Sequence, residues 1–220
     1  VISNNLANVN TTGFKKDRAV FEDLLYQNIV PAGGQVDAES ETPTGLMLGT
    51  GTRVVATEKL HAQGNIITTE NALDLAISGD GYFSVQQADG TIAYSRDGSF
   101  KLSADGNLVT AGGQTLLPAI TVPQNAASLT IGRDGVVTVE LANGGGSSQI
   151  GQLQLSRFVN NSGLQPIGRN LMQQTNASGD PLVVLPGADG AGMLMQGALE
   201  ASNVNVVEEM VNMIETQRAY

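Results

Sequence analysis

Four Asp-Gly pairs, Asp80-Gly81, Asp89-Gly90, Asp97-Gly98 and Asp105-Gly106, punctuate the stretch from Leu73 to Leu117, and they restrict it to short strands and turns. Asp-Gly suits turns whose central residues need positive φ. The segments between, "YFSVQQ", "TIAYS" and "NLVT", have strand-like composition and partial alternation. Leu73, Leu75 and Ile77, spaced by Asp74 and Ala76, supply the incoming strand. A second β series follows from Leu116: "LLPAITVP", "SLTIG", Arg133-Asp134-Gly135, "VVTVEL", a Gly-rich tip at Asn143 to Ser148, and "IGQLQLSRFV". Short strands with turns every ~8–12 residues predict an all-β sandwich or irregular barrel. With 27 Gly, no Trp and only 4% aromatic residues, its core must be mostly aliphatic.

The ends follow a different rhythm. In "NVNVVEEMVNMIETQRAY" the residues Val207, Met210, Val211 and Ile214 share one helical face, and Asn205 three residues before Glu208 resembles a capping box. At the front, Ile2, Leu6 and Val9 form a stripe that predicts a helix to Thr11 or Thr12, with Gly13 and Phe14 as its C-terminal stop. One helix lacks a beginning and the other a stop, the pattern expected of a fragment from which the outer parts of two terminal helices have been removed. Between Tyr26 and Gly51, "YQNIVPAGGQVDAESETPTGLMLGTG" shows no regular pattern and too little apolar content to offset ordering entropy alone. A loop of that length is either functional or disordered.

Charge and chemistry narrow the function. The net charge is −10 with only 11 Lys and Arg, so there is no basic field for nucleic acid or an anionic bilayer. No cysteine is present, which removes disulfides, thiolate nucleophiles and zinc-thiolate sites together. The longest apolar runs, such as "PLVVLP" at Pro181 to Pro186, are far shorter than the ~20 residues of a membrane span. His61 is the only histidine and has no evident catalytic partner; it reads as a surface or hydrogen-bonded imidazole. Neither "SGDGYF" nor "SRDGSF" nor "SADGNL" supplies the nonapeptide of a calcium-binding β-roll. "GDGYF" likewise lacks the ending of a phosphate loop. No catalytic residue, metal site or cofactor is expected.

"NNLANVNTTGFKK", "LDLAISGDGYFSVQQADGTIAYSRDGSFKLSADGNLVTAGG" and "EASNVNVVEEMVNMIETQRAY" together resemble the axial rod and hook proteins of the bacterial flagellum. Within that family, "RAVFEDLLYQ", "GTGTRVVATEKLHAQGN", "IGRDGVV" and "GALEASNVNVVEEMVNMI" are most similar to its distal rod members. The resemblance implies a mainly β outer domain inserted between helix stubs that belong to a coiled-coil inner domain lining an export channel. It implies residues 1–25 as N-terminal helix stub and connector, 26–51 as an extended arm between subunits and 52–72 as a connector. Residues 73–186 then form the outer domain and 187–220 the return connector and C-terminal helix stub.

Polymerisation contacts are expected at Ile2, Asn4, Asn5, Leu6, Asn8, Val9, Val207, Met210, Val211 and Ile214. The arm would contribute Tyr26, Ile29, Val30, Pro31, Val36, Pro43, Leu46, Met47 and Leu48. The implied function is a subunit of a rigid, straight, hollow drive shaft in the periplasm, exported through the flagellar type III channel without a cleaved signal. Its implied partners are copies of itself, neighbouring proximal rod and hook or hook-cap-stage proteins, and the surrounding basal-body rings. No nucleic acid and no membrane insertion are expected. The alternatives are another rod or hook protein of the same family, or an exported calcium- or carbohydrate-binding β protein.

Overall fold

Residues 1–30, 35–37, 40–41, 44–142 and 146–219 are described in a computed structural model. The chain forms two compact units, one of Asp17–Lys59 with Val1, the other of residues 2–16 and 60–220.

The smaller unit is a ribbon. Strand Asp17–Asp23 runs antiparallel to Thr52–Lys59, and Tyr26–Val30 runs antiparallel to Leu46–Gly49. Charges placed opposite one another specify the first pairing: Asp17 faces Lys59, Arg18 faces Glu58, and Glu22 faces Arg53. All three pairs form ion pairs, at 2.7 Å for Lys59–Asp17 and 2.8 Å for Arg18–Glu58. Opposite charges facing across an antiparallel ladder stabilise one register and penalise a slip. The segment from Tyr26 to Gly51, patternless in sequence, is therefore partly strand: its two ends pair as Gln27 with Leu48 and Asn28 with Met47, continuing the ladder that the charges begin. The ordered ribbon also runs wider than 26–51, beginning at Asp17 and closing at Lys59.

In the larger unit a seven-stranded antiparallel sheet has the order Phe100–Leu102, Leu108–Thr110, Thr115–Leu117, Phe83–Gln86, Ile92–Ser95, Leu171–Gln173, Gln165–Gly168. A three-stranded sheet, Ala126–Ile131, Val136–Leu141 and Ser147–Gln152, stands beside short strand pairs. The fold is mainly β, and its strands do not close into a barrel among the described residues. The core is aliphatic with two phenylalanines: Leu75, Ile77, Val85, Leu116, Val137, Leu153, Leu155 and Leu194 are among the residues packed around Phe83 and Phe100, whose rings meet edge to face at 5.1 Å. Tyr82, Tyr94, Phe158, Leu164 and Met172 make a second, aromatic cluster.

The Asp-Gly rhythm reports turns at two places and something else at two others. Asp89-Gly90 joins Phe83–Gln86 to Ile92–Ser95, and Asp105-Gly106 joins Phe100–Leu102 to Leu108–Thr110, each glycine with φ near +80°. Asp89 accepts hydrogen bonds from the Thr91 N–H and hydroxyl, which hold its carboxyl below its ordinary range. Asp80-Gly81, by contrast, does not close a hairpin, because Leu75–Ser78 pairs with Met193–Gln196 from far along the chain. Gly98 is present for space: a Cβ there would lie 1.6 Å from the Leu75 carbonyl oxygen.

Two helices complete this unit, α1 (Ile2–Ala7) and α2 (Val206–Ala219). Sequence pattern carries the first helix to Thr11 or Thr12, but the structure ends it at Ala7 and continues in turns. The Asn8 N–H makes the last four-residue bond, to the Asn4 carbonyl that the Asn8 side chain also meets at 2.9 Å, and beyond it the N–H groups of Val9 and Thr11 reach back only three residues, to Leu6 and Asn8. Gly13, at φ +67°, then reverses the chain. At the other end Asn205 caps α2 as its spacing predicts, its side chain accepting from the N–H of Val207 at 3.0 Å and of Glu208 at 3.4 Å.

Two glycines separate the steric role from the conformational one. Gly98→Ala is expected to cost about 2–4 kcal/mol because backbone atoms must move. Gly90→Ala, with open space around its Cβ, costs only about 1–2 kcal/mol from its left-handed φ. Urea melts of the two variants check the order.

Candidate assembly interface

Taking an ammonium out of water costs several kcal/mol unless it is paired and hydrogen-bonded, and Lys15 is led into the protein interior by the reversal at Gly13. The Gly13 N–H donates to the Glu200 carbonyl at 2.8 Å, while a Cβ on Gly13 would lie 2.7 Å from the backbone of Arg96. Lys15 Nζ then donates to Glu200 Oε1 at 2.6 Å and to the Ala62 carbonyl at 2.8 Å. Glu200 closes the strand Ala198–Glu200, which pairs with Ile66–Thr68. Its Oε1 also accepts the Gly64 N–H at 2.8 Å, and its Oε2 accepts from Arg96 Nη1 at 3.1 Å. Arg96 Nη2 donates to the Gly79 carbonyl at 2.8 Å, and the guanidinium lies over the Tyr82 ring at 5.4 Å. The side chains of Lys15 and Glu200 are each 1% exposed and that of Arg96 4%.

Burial lowers the Lys15 ammonium below its ordinary 10.5, against the opposing pull of Glu200. Between that lowered value and 10.5 the unfolded chain holds a proton that the folded protein has released, so this group's contribution to stability rises with pH there. Tyr82 behaves oppositely. Burial pushes its phenol up from 10.0 to about 12, with the Arg96 charge opposing. The hydroxyl lies 2.8 Å from His61 Nδ1, which makes His61 the hydrogen-bonded imidazole expected from sequence.

Around this cluster, polar groups tie the entering and leaving strands of chain together. Thr12 Oγ1 donates to Asp97 at 3.0 Å, and Asn170 donates to the Thr12 carbonyl at 3.1 Å. Asn203 accepts the Lys16 N–H at 2.7 Å and donates to the carbonyls of Leu60 and Ala62 at 2.8 and 3.1 Å. At the surface Lys16 pairs with Glu208 at 3.2 Å.

The helices pack with polar groups inward. Asn5 is buried and donates to buried Glu209 across the α1–α2 contact at 3.4 Å. Val207, Met210, Val211 and Ile214 consequently face solvent, Val207 at 69% exposure. Ile2, Leu6 and Val9 are half-buried, Asn4 is exposed, and Asn8 bonds to Asn4. Of the expected arm residues, Tyr26, Ile29, Leu46, Met47 and Leu48 are exposed on the ribbon. Phe21, Leu25, Val54 and Val55, which the sequence reading left out, are exposed beside them along the chain. Pro31 and Pro43 lie outside the described residues, and for Val30 and Val36 only the strands they belong to are described. The ribbon thus carries its apolar side chains in water, where a two-stranded sheet is marginal.

Three family descriptions match separate parts of the chain: "Flagella basal body rod protein" at residues 1–15, "Flagellar hook protein FlgE/F/G D1 domain" at 76–139, and "Flagellar basal body rod FlgEFG protein C-terminal" at 195–220. The flagellar basal-body rod protein FlgG of Buchnera aphidicola from Schizaphis graminum is 54% identical over 220 residues, covering all of this chain and 85% of the relative. The FlgG proteins of Borreliella burgdorferi and Bacillus subtilis are 46% and 40% identical, again over the whole chain and over 83% and 84% of their own lengths. The chain belongs to the flagellar basal-body rod protein FlgG family. Each of the three matched segments supplies one member of the buried cluster, Lys15, Arg96 and Glu200 respectively.

Sequence reasoning found the apolar faces of this family member but missed that cluster. Lys15 stands within "GFKK" and Glu200 within "GALEAS", yet nothing local distinguishes them from exposed charges. A weak signal existed in the glycines: Gly13 and Gly64 stand where backbones touch, Gly64 with its Cβ position 2.0 Å from the Ala201 carbonyl oxygen.

Glu200→Gln strands two cations and is expected to lower stability by about 3–5 kcal/mol. Lys16→Ala, which breaks the half-exposed pair with Glu208, costs under about 1 kcal/mol. Chemical denaturation at neutral pH distinguishes them. The Tyr82 contribution is present below pH 10 and disappears as pH rises through about 12. Within that window wild type loses about 1.4 kcal/mol per pH unit that Tyr82→Phe does not lose, as paired denaturation series will show.

Proposed function

We propose that this chain is a structural subunit of the distal part of the flagellar rod, added head to tail along a helix to build a straight, hollow shaft that carries torque and encloses the export channel. Family membership supports a rod subunit that assembles with other axial proteins. The observation that carries the reading further is the orientation of α2, which buries Glu209 against Asn5 and turns Val207, Met210, Val211 and Ile214 to solvent. An apolar helix face turned outward beside a satisfied polar contact is built for another chain. Ile2 and Leu6 on α1, with Val9 in the turn that follows it, extend that surface, and Asn4 and Asn8 serve as hydrogen-bonding contacts between subunits. Asn5, committed to Glu209, sets the register of the pair within one subunit. Heterologous contacts of this kind do not close, so they produce an open tube.

The ribbon supplies the second tie. Its exposed apolar residues would gain order and burial when laid against adjacent subunits, which stiffens the shaft. Export in an unfolded state through the channel agrees with a chain that contains no cysteine to cross-link on the way. Proximal rod, hook and hook-cap-stage proteins would be the axial neighbours, and the rings around the rod would meet the acidic β surface.

Seeding the full-length protein with rod fragments tests the reading. Wild type should elongate the seeds, whereas Met210→Glu with Ile214→Glu should stay monomeric with an unchanged melt of the β domain. Deletion of 26–51 should leave polymerisation intact but give bent or over-long rods by electron microscopy. A wild-type protein that remains monodisperse in the presence of seeds refutes the proposal.

A further inference from the structure

We infer that Lys15, Glu200 and Arg96 form the joint that fixes the angle between the α1–α2 pair and the β core, with Glu200 as the positioning residue; this rests on the reading of the chain as a rod subunit. The core leads into α2 through the single strand of chain 201–205, while residues 8–16 carry the chain from α1 past the core and on into the ribbon at Asp17. Single strands pivot at every φ and ψ, so covalent connection alone leaves the angle undefined. Glu200 removes that freedom. Its side chain accepts from Lys15 on the α1 side, from the Gly64 N–H on the segment at 60–64 and from Arg96 in the core. Its backbone belongs to the strand that leads to α2 and accepts from Gly13.

The chemistry is directional where apolar packing would not be. Each carboxylate oxygen meets its donors in one geometry, and the donors are themselves held: the Arg96 guanidinium also donates to the Gly79 carbonyl and the Lys15 ammonium to the Ala62 carbonyl. A buried ion cluster adds little stability over apolar residues of the same volume, so its value here lies in excluding other orientations. Thr12 is tied to Asp97 and Asn170, and Lys16 to Asn203 on the segment that leads to α2, so the same connectors are also held by neutral and single-charge hydrogen bonds. For a subunit of an open helical polymer such definition matters, because an angular error in each protomer accumulates along the tube and a compliant joint stores torque in place of passing it on.

The absence of cysteine allows a direct measurement. Spin labels at Glu215→Cys on α2 and Lys101→Cys on the core strand Phe100–Leu102 report the angle as an interspin distance in the monomer. In the otherwise wild-type chain the distribution should be a single narrow peak. In Lys15→Met/Arg96→Met/Glu200→Leu, which fills the same volume without ions, the melting temperature should be kept while the peak broadens or splits. Arg96→Lys, which retains the charge but cannot span Glu200 and Gly79 together, should broaden it without unfolding. It decides the matter should the triple variant fail to fold. Unchanged narrow peaks in the folded variants overturn the inference. In seeded growth the triple variant should still polymerise, since its helix faces are intact, but into shafts of variable curvature. Straight shafts from that variant would also overturn it, whereas failure of the wild type itself to elongate seeds would count against the rod reading and leave the monomer distances valid.

Discussion

One carboxylate, that of Glu200, organises the larger unit. An ionised group so deeply buried is tolerable only when its oxygens are saturated with donors, and here the donors come from the α1 connector, the segment at 60–64 and the β core. None of these segments can take its place without the others, because a missing donor leaves charge uncompensated in a low-dielectric interior. Residues as distant in the chain as Lys15 and Glu200 are thereby locked into one cooperative structure. The price is topological: all three must be in register before any gains.

Stability is distributed unevenly around that point. The aliphatic core has its side chains interlocked on several sides, whereas the ribbon depends on cross-strand ion pairs and leaves aromatic and aliphatic residues in water. Few buried contacts and an exposed ladder place the ribbon at the low-stability end of the molecule. The same property suits an element that completes its packing only in an assembly. A similar division holds in the helices, where Asn5 meets Glu209 in a buried polar contact and the exposed face of α2 carries Val207, Met210, Val211 and Ile214.

Much of the β rhythm was legible in sequence because turns are local events. Asp89-Gly90 and Asp105-Gly106 are hairpin turns because backbone conformation and an aspartate bonding its own turn need no distant partner. Asp97-Gly98 carries the same two letters with a different cause, since its glycine admits the Leu75 carbonyl and its aspartate holds Ser99 and Thr12. The cap of α2 at Asn205 was legible for the local reason too. The first helix runs shorter than its apolar spacing because that spacing is kept through turns of three-residue bonds, from Val9 to Leu6 and from Thr11 to Asn8, as well as through a helix.

By itself, then, the sequence determined what depends on near neighbours: an aliphatic β domain between two helical ends, the turn positions, the apolar stripes and the family resemblance they carry. Tertiary structure alone decided which charges are buried, which way α2 faces, and that the stretch after Tyr26 pairs with itself as a ribbon. Lys15, Arg96 and Glu200 look like surface residues until 185 positions of chain are folded back between the first and the last of them. Burial, pairing and orientation are properties of that long-range approach, and no local pattern encodes them.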